Sequence, residues 1–230
     1  MKIDMHVHCL PVSLCAKLNF DEVPPIFKDG GIDGFVLVNH CYPNHCCKLG
    51  DTLEKQAKEY LNTYLKCKEE GEKQGIKVFF GVELKLISEE GKPEFLLYGI
   101  SEETFLNTYP LYNLSQKELF DFCNKNDILM VQAHPFREEQ GYSPADPAFM
   151  HGIEVYNPHP YFDARFETSL SFAEENGLLK TAGSDFHYDG QVGNSGMVIP
   201  QNVTDQFMLR DYLKTKECII YSKEEILLKE

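Results

Sequence analysis

Tryptophan is absent from the 230 residues, and basic side chains are scarce beside acidic ones. Lysines and arginines number 22 against 36 aspartates and glutamates, which gives a formal net charge of -14. Because nucleic-acid binding depends on basic surface, this balance argues against long DNA or RNA as a partner. Bound cations can reverse the charge locally, so a small phosphorylated substrate remains compatible with the sequence.

Long apolar runs are also missing. No segment approaches the roughly 18 uninterrupted apolar residues of a membrane-spanning helix, and the first residues lack the basic and then apolar order of a signal peptide. We therefore expect a cytoplasmic protein with no membrane partner. The length and the 43% of hydrophobic residues favour one domain, residues 1–230, although two small domains would also fit. The oligomeric state is left open.

The eight cysteines show no spacing typical of a disulfide framework. In a cytoplasmic chain they are expected to be reduced and mostly buried. Cys41, His45, Cys46 and Cys47 lie close together, but no second ligand pair follows at the spacing of a zinc finger. A cysteine-rich loop near a site is the favoured interpretation, and a zinc knuckle is the alternative.

The first eight residues, Met-Lys-Ile-Asp-Met-His-Val-His, alternate apolar and polar side chains. This period of two predicts a strand with two unlike faces. His6 and His8 therefore project from the same side, within reach of one ion, and Asp4 lies behind them on that side. Two imidazoles are an incomplete ligand set, so partners are expected further along the chain.

Short apolar runs alternate with helical patterns over the rest of the chain. The best helix is Asp51–Gln74, which Asp51 or Thr52 can cap and Gly75 ends. The eight or nine strands, with helices between several of them, favour a parallel sheet, open or closed into a barrel. Further helices are expected over residues 115–125 and 165–177. Further strands are expected over residues 34–39, 76–86, 95–100, 128–133, 153–156, 178–182, 197–199 and 218–221.

Chemically useful side chains gather at the ends of these strands. Five of the eight histidines stand at or just past a predicted strand end: His6, His8, His40, His134 and His187. Asp185 adds a carboxylate at the same place. Glu83 lies in the apolar middle of a strand, where an unpaired carboxylate would be costly to bury, so it needs a cation or donors. Imidazoles and carboxylates without ordered thiolates suit zinc, manganese or iron.

Five motifs stand in a recognisable order: Asp4-Met5-His6-Val7-His8, the strand ending in His40, Gly81-Val82-Glu83, Ala133-His134-Pro135 and Gly183-Ser184-Asp185-Phe186-His187. In this order and spacing they resemble the motifs of the polymerase and histidinol phosphatase (PHP) family, and the resemblance covers nearly the whole chain. It implies an α/β fold, a distorted (β/α)7 TIM-like barrel, that holds two or three divalent metal ions at the carboxyl ends of its strands.

The resemblance also implies which residues hold the ions. Glu83 would bridge a first ion to a second one at His134. His40 and His187 would belong to a third ion, and Asp4 would orient a ligand imidazole. The implied metal ligands are His6, His8, His40, Glu83, His134, Asp185 and His187.

The chain departs from the family pattern at two places. An Asp or His is usual about six residues after the second histidine, but residues 13–15 read Ser-Leu-Cys, so the third ion lacks a ligand unless Cys15 replaces it. Family members often carry a further histidine after the glutamate, yet none occurs between Glu83 and His134. Glu94 is the alternative for that position.

The implied reaction is the hydrolysis of a small phosphate ester by a metal-activated water, with histidinol phosphate and phosphotyrosine as the substrate types. His187 or His40 is expected to protonate the leaving oxygen. Arg137 is placed to bind a phosphate, and Arg165 is a second candidate. For Arg137, a surface ion pair with one of the two glutamates that follow it is the alternative.

Two other functions fit the same residues: a nuclease or phosphodiesterase acting on short oligonucleotides or nucleotide esters, and a non-catalytic metal-binding module. The tyrosines expected to stack a base in the first case are Tyr109, Tyr112, Tyr142 and Tyr161. His45, His151 and His159 are expected on solvated loops, although His159 can line the site. Glu154 is expected to support the centre without binding a metal ion.

Overall fold

The computed structural model describes residues 1–91, 93–161, 163–223 and 225–230. Over these residues the chain forms mixed α/β structure, with seven α-helices and a curled eleven-stranded sheet. The strands are Lys2–Val7 (β1), Gly34–Leu37 (β2), His40–Cys41 (β3), Lys77–Lys85 (β4), Glu94–Tyr98 (β5), Leu129–Gln132 (β6), Gly152–Tyr156 (β7), Leu179–Ala182 (β8), Gly196–Val198 (β9), Ile219–Ser222 (β10) and Glu225–Lys229 (β11). The helices are Val23–Asp29 (α1), Pro43–Cys46 (α2), Leu53–Gln74 (α3), Glu102–Thr108 (α4), Gln116–Lys125 (α5), Phe166–Glu175 (α6) and Gln206–Lys214 (α7).

The sheet follows the order β11-β10-β9-β1-β2-β4-β5-β6-β7-β8, and β3 pairs with β4 beside this path. Strands β1, β2 and β4 run parallel, as do β6, β7 and β8. Strand β5 is antiparallel to both of its neighbours, and β9, β10 and β11 also pair in antiparallel fashion, so the expectation of a parallel sheet is wrong at these strands. The connection from Lys85 to Glu94 explains the reversal at β5, because it is shorter than the roughly dozen residues that a parallel crossover needs.

The curl of the sheet brings the segment that follows β8 back against β1. Val7 pairs with Phe186, just past β8, in a single parallel bridge. The amide of His8 donates to the carbonyl of Phe186, and the amide of Phe186 donates to the carbonyl of His6, both at 3.0 Å. The α/β class is confirmed. The hydrogen-bonded ladder ends at β8 and β11, so the described strands form a curled half-barrel joined at one bridge.

The predicted helix ends are correct where capping chemistry is present. Helix α3 begins after Thr52, whose hydroxyl accepts from the amide of Lys55, and it ends at Gly75 with a φ of 75°. In α5, Ser115 and Glu118 form a capping box. The sequence patterns do not predict α4 and α7, which are short helices of seven and nine residues, although Ser101 and Asp205 cap them.

The buried apolar side chains form one cluster that extends from Ile3 to Tyr221. All eight cysteines are free and six are buried, as expected. Among the described residues, no group of metal-ligating side chains includes Cys41, Cys46 or Cys47, which leaves the zinc knuckle without support. No helix in the described ranges combines the length and the apolar character needed to cross a membrane.

Candidate metal centre

Strand β1 carries two imidazoles into the interior, as its period of two predicts. His6 and His8 are fully buried, and their ring centroids lie 4.9 Å apart. The segment after β8 passes close to them because residue 183 is glycine. A Cβ at Gly183 would lie 2.4 Å from the Cβ of His6, so any larger residue would push the segment away from the strand.

Glu83, near the carboxyl end of β4, is the carboxylate around which four imidazoles gather. Its Oε1 lies 3.2 Å from His6 Nε2 and 3.4 Å from His134 Nε2. Its Oε2 lies 3.4 Å from His8 Nε2 and 2.5 Å from His40 Nδ1. A carboxylate that turns each oxygen toward a different pair of imidazoles has the arrangement that a bridging metal ligand requires.

Asp185 approaches the same imidazoles from the segment after β8. Its Oδ1 lies 3.5 Å from His6 Nε2, 3.3 Å from His8 Nε2 and 3.4 Å from His187 Nδ1. Asp185 and His134 have positive φ angles of 52° and 32°. Such a conformation costs about 1 kcal/mol in a residue with a side chain, and strain of this kind concentrates at functional sites. Here it occurs at two strand ends whose side chains face the centre.

Several of these atoms lack a hydrogen bond. Within the described residues, no hydrogen bond of normal geometry is made by His6 Nε2, His8 Nε2, His40 Nδ1, His134 Nδ1 or the two carboxylate oxygens of Glu83, although His40 Nδ1 and Glu83 Oε2 lie 2.5 Å apart. Native interiors satisfy most buried polar groups, so this cluster requires an explanation. Ligand atoms that surround a tetrahedral zinc ion lie about 3.4 Å from one another, which matches most of the distances above. The residues present therefore fit metal ions.

The centre has two parts that differ in exposure. The floor comprises the buried residues His6, His8, Glu83 and His134. The rim comprises Cys15, His40 and His187, which line the cavity above together with His134 of the floor; Cys15 is exposed, His187 is half-buried and His40 is buried. Asp185 contacts members of both parts. Ligand atoms of His6, Glu83 and His134 lie within 4.8 Å of one another, and so do those of His8, His40 and His187, a group that joins one imidazole of the floor to two of the rim.

Glu154 on β7 orients the ring of His6. Its two carboxylate oxygens lie 3.1 and 3.2 Å from His6 Nδ1, which therefore donates and leaves the lone pair on Nε2, toward Glu83. The expectation that Asp4 orients an imidazole is wrong. The Asp4 carboxylate instead accepts from the amides of His6 and Ser184 at 3.0 and 2.9 Å, and from the Ser184 hydroxyl. Asp4 thus ties the segment after β8 to β1.

A chain of hydrogen bonds sets the tautomer of His8. Asn39 Oδ1 accepts from the amide of Cys9 at 2.8 Å and from the hydroxyl of Ser13 at 2.9 Å. Having donated its proton, Ser13 Oγ accepts from the amide of His40 at 3.0 Å and from His8 Nδ1 at 3.1 Å. The His8 ring therefore carries its proton on Nδ1 and presents the lone pair of Nε2 to the centre.

The floor is charged although it is buried. Burial raises the pKa of a carboxyl group, but the imidazoles of His6 and His40 hold the pKa of Glu83 well below its usual value. Burial likewise opposes a charge on His6, yet Glu154, Glu83 and Asp185 raise its pKa well above the usual value. Ionised carboxylates in this space require positive charge beside them, and protons or metal ions at the same nitrogen atoms can supply it.

Glu94 on β5 stands beside the floor at the place where the resemblance lacks a histidine. Its Oε2 lies 3.3 Å from His134 Nε2, and its Oε1 accepts from Lys85 Nζ at 2.9 Å. The amide of His134 donates to Glu154 at 3.1 Å, which holds the imidazole in this position. Glu94 therefore lies beside His134, as expected if it replaces the histidine that family members often carry.

Cys15 lies against the imidazoles of the rim, with its Sγ 3.1 Å from His187 Nε2. Burial raises the pKa of a thiol, but hydrogen bonds with His187 and His40 outweigh it and lower the pKa of Cys15 to about 6. His187 Nδ1 in turn donates to the carbonyl oxygen of Asp185 at 2.7 Å. The sulfur atom of Cys15 thus stands where the resemblance expects a carboxylate or an imidazole.

An open cavity of about 570 Å³ lies over the rim, which is a usual size for a small-molecule site. Its lining combines two carboxylates, Glu94 and Asp185, with two cationic side chains, Lys17 and Arg137. The protein groups alone therefore do not make the cavity attractive to an anion, and bound cations would. The aromatic lining residues are Tyr42, Tyr142, Tyr161 and Tyr188.

The two predicted phosphate-binding arginines occupy different surroundings. Arg137 is 7% exposed, and its guanidinium group donates to Asp185 Oδ2 at 2.9 Å and to Asn157 Oδ1. The alternative of a surface ion pair for Arg137 is therefore wrong. The side chain of Arg165 is 42% exposed, lies 3.8 Å from Glu139 and does not line the cavity. The structure brings Arg137 to the centre and leaves Arg165 outside it.

The remaining histidines differ from one another. The expectation that His45 lies on a solvated loop is wrong, because its side chain is buried. Its Nδ1 accepts from the amide of Leu14 at 2.9 Å, and its Nε2 lies 3.0 Å from the hydroxyl of Tyr42. His159 lines the cavity. His151 lies away from it, where its Nδ1 accepts a backbone hydrogen bond.

Three supporting side chains are not predicted in their roles: Ser13, Asn39 and Asn157. Glu154 lies against His6, in agreement with the expectation that it supports the centre. The polar side chains of Ser13, Asn39 and Asn157 are ordinary in loops and at strand ends, so their sequence positions carry no signal of these roles.

No protein-family model matches the chain, and no curated protein matches it. Several solved structures share its fold. A two-domain protein from Bacteroides vulgatus that contains a predicted PHP-like metal-dependent phosphoesterase gives a TM-score of 0.68 at 20% identity, over 98% of this chain and 66% of that one. A protein from Bifidobacterium adolescentis, named as a metal-dependent phosphoesterase, gives 0.57 at 17% identity, over 92% and 95% of the two chains.

A third similar structure is the lesion-specific endonuclease PfuEndoQ from Pyrococcus furiosus, with a TM-score of 0.58 at 15% identity. It matches over 93% of this chain, which spans 56% of the endonuclease and less than two thirds of the Bacteroides protein. At such low identity these likenesses concern the fold. The resemblance to the PHP family is confirmed at that level.

Proposed function

We propose that this chain is a PHP-type metal-dependent phosphoesterase that hydrolyses a small phosphate ester at a multinuclear centre. The observation that carries the proposal is the convergence of unsatisfied nitrogen and oxygen atoms beneath an open cavity. Structural neighbours that are named metal-dependent phosphoesterases and an endonuclease agree with a hydrolase. The distorted (β/α)7 barrel, the single domain of residues 1–230 and the cytoplasmic location belong to this proposal as predictions.

The ligand assignment follows the geometry of the floor and the rim. The first ion would be held by His6, His8, Glu83 and Asp185, and the second by Glu83, His134 and Glu94. The remaining imidazoles, those of His40 and His187, would hold a third ion. Imidazole and carboxylate ligands suit zinc, manganese or iron, so two or three divalent ions of these kinds are proposed.

Ions bound here supply positive charge for phosphate oxygens and a bound water of lowered pKa. The protein groups do the positioning. Arg137 holds Asp185 in place and directs it toward the floor. His187 and His40 line the cavity, where an imidazole can give a proton to the leaving oxygen. A nitrogen atom that binds an ion cannot also release a proton. His187 and His40 therefore each serve either as a metal ligand or as the proton donor through a given nitrogen atom.

The size and lining of the cavity support a small substrate. A volume of about 570 Å³ admits a phosphomonoester of the histidinol phosphate or phosphotyrosine type. The net charge of -14 opposes binding of a long polyanion. Within this proposal, the phosphate group lies over the ions and the organic group lies among the four tyrosines of the lining.

A nuclease acting on short oligonucleotides or nucleotide esters is the second candidate. It is favoured by the fold shared with an endonuclease and by tyrosines able to stack a base. Of the four tyrosines predicted for this role, Tyr142 and Tyr161 line the cavity. Tyr109 and Tyr112 pack against each other outside it. A non-catalytic metal-binding module is the third candidate.

One experiment separates the three candidates. Metal content is measured on the purified chain by mass spectrometry, and hydrolysis of phosphomonoesters, phosphodiesters and dinucleotides is assayed with added manganese or zinc. Turnover of monoesters supports the proposal, and preferential turnover of dinucleotides supports the nuclease. Bound metal without turnover supports the module, and a chain that binds no metal contradicts all three.

A further inference from the structure

The cysteine of the rim gives this centre a ligand of a different kind. We propose that Cys15 binds a metal ion as a thiolate, together with His40 and His187, and that this makes the rim selective for zinc. The inference rests on the proposed metal centre but concerns the chemistry of one of its ion sites. Thiolate is a soft ligand that favours zinc, whereas the imidazole and carboxylate ligands of the floor also accept manganese.

Position is the first argument. Among the described residues that line the cavity, Cys15 is the only cysteine. Its Sγ is 3.1 Å from His187 Nε2 and lies within 4.8 Å of ligand atoms of His40 and His45. The other exposed cysteine, Cys47, lines no described cavity and belongs to no described ligand group. Cys15 is therefore the described cysteine whose thiol lies beside the imidazoles of the rim.

The tautomer of His187 is the second argument. Its Nδ1 is 2.7 Å from the carbonyl oxygen of Asp185, an acceptor that requires a donor, so Nδ1 carries the proton. The lone pair then lies on Nε2, the atom that faces Cys15. A histidine whose other nitrogen atom donates to a carbonyl oxygen is oriented as metal-binding histidines usually are.

The packing of the imidazoles beside Cys15 is the third argument. His40 is 7% exposed, and its ring centroid lies 4.2 Å from that of the fully buried His8 and 5.7 Å from that of His187. Both rings lie in one ligand group with His187. His45 is excluded as a ligand, because its Nδ1 accepts from Leu14 and its Nε2 is occupied by the hydroxyl of Tyr42.

The proposal changes the assignment of the proton donor. If His40 and His187 bind an ion through the nitrogen atoms that face the cavity, neither can protonate the leaving oxygen. His159, the other histidine outside the floor that lines the cavity in the described part of the chain, is then the candidate for that step.

The test uses cobalt(II) in place of the native ions, because a thiolate bound to cobalt gives a sulfur-to-metal charge-transfer band in the near ultraviolet. We expect the band in the wild type and in Cys47→Ser, the matched control with an exposed cysteine changed. In Cys15→Ser the band should disappear, with the loss of about one bound ion per chain. Cys15→Asp should keep the ion without the band and shift the rim toward manganese.

The outcomes keep this proposal separate from the proposed function. Cobalt bound without a charge-transfer band in the wild type, or a band that persists in Cys15→Ser, overturns the thiolate ligand and leaves the floor as a metal site. A wild-type chain that binds no cobalt, zinc or manganese overturns both proposals. Circular dichroism of each variant checks that a lost ion does not reflect a lost fold.

Discussion

The floor and the rim use imidazoles in opposite surroundings. In the floor, His6 and His8 are fully buried, and each ring is held by a side chain, Glu154 or Ser13, that is itself buried. In the rim, the side chain of His187 is 20% exposed and is oriented by a backbone carbonyl. The difference indicates a floor whose side chains are already oriented by buried partners and a rim where a proposed ion would exchange with solvent more readily.

The floor and the rim also differ in the energetic cost of having no cation bound. A buried ionised carboxylate such as Glu83 is expensive without a cation beside it, whereas solvent can reach the rim and screen its charges. Binding of ions to the floor should therefore be coupled to the stability of the whole fold. Binding to the rim should change the chemistry of the cavity and leave the fold almost unaffected.

Removal of all metal ions should have the largest effect. Chelation is expected to abolish hydrolysis and to lower the melting temperature by roughly 5–10 °C, because ligands present at 100 times their dissociation constant stabilise a fold by about 2.7 kcal/mol. Activity assays and calorimetry during chelation measure this, and zinc or manganese should restore both. Metal content should fall in two phases, first from the rim. An unchanged melting temperature would contradict the contrast between the two parts.

Glu83→Gln should have the next largest effect, since the amide cannot bridge two ions. We expect a loss of kcat/KM of more than about 100-fold, above the range typical of residues that merely orient a ligand. The control is Glu59→Gln, on the exposed side of α3. Steady-state kinetics with a phosphomonoester measures the difference. Activity of Glu83→Gln within tenfold of the control would remove Glu83 from its central role.

Glu154→Gln tests the support of the floor. The substitution preserves size but removes the negative charge that keeps the proton of His6 on Nδ1, so metal affinity should fall by about 10–100-fold. Competition with a coloured chelator measures the affinity, and Glu174→Gln on α6 is the control, with a side chain that is 54% exposed. If the two variants bind metal equally well, Glu154 only fills space.

Substitution of the two arginines should give the smallest effect and the clearest contrast. Arg137→Lys removes a planar fork that serves Asp185 and Asn157 together, and a hydrogen bond to a charged group contributes about 1.5–3 kcal/mol, so a loss of kcat/KM of roughly tenfold is expected. Arg165→Lys should stay within about twofold, because Arg165 lies outside the cavity. Kinetics that rank the two variants in the reverse order would place the phosphate elsewhere.

The sequence predicted the floor better than its supports, for a physical reason. A period of two places His6 and His8 on one face of a strand, and an apolar strand makes Glu83 conspicuous, so each signal is local. The support of His6 by Glu154 joins residues 148 positions apart, and no local pattern carries such a pairing. The chain from Asn39 through Ser13 to His8 is hidden in the same way.

The architecture was predictable to a similar degree. Alternating strands and helices indicate the α/β class, and capping residues locate the ends of α3 and α5. The antiparallel β5 depends on the length of one connection, a signal that a count of strands ignores. The positions of Arg137 and Arg165 depend on how loops fold over the cavity, and side-chain type alone does not distinguish a buried arginine from an exposed one.

The bridge between Val7 and Phe186 has a consequence for the growing polypeptide. His6 and His8 leave the ribosome early, whereas Asp185 and the strand edge that pairs with β1 are translated much later. A nascent chain therefore displays a pair of imidazoles without the carboxylates that complete their site, and such a pair alone holds a metal ion weakly. In the proposed assignment, the ion at His6 and His8 gains its last ligand only when Asp185 has been translated and these two edges have joined.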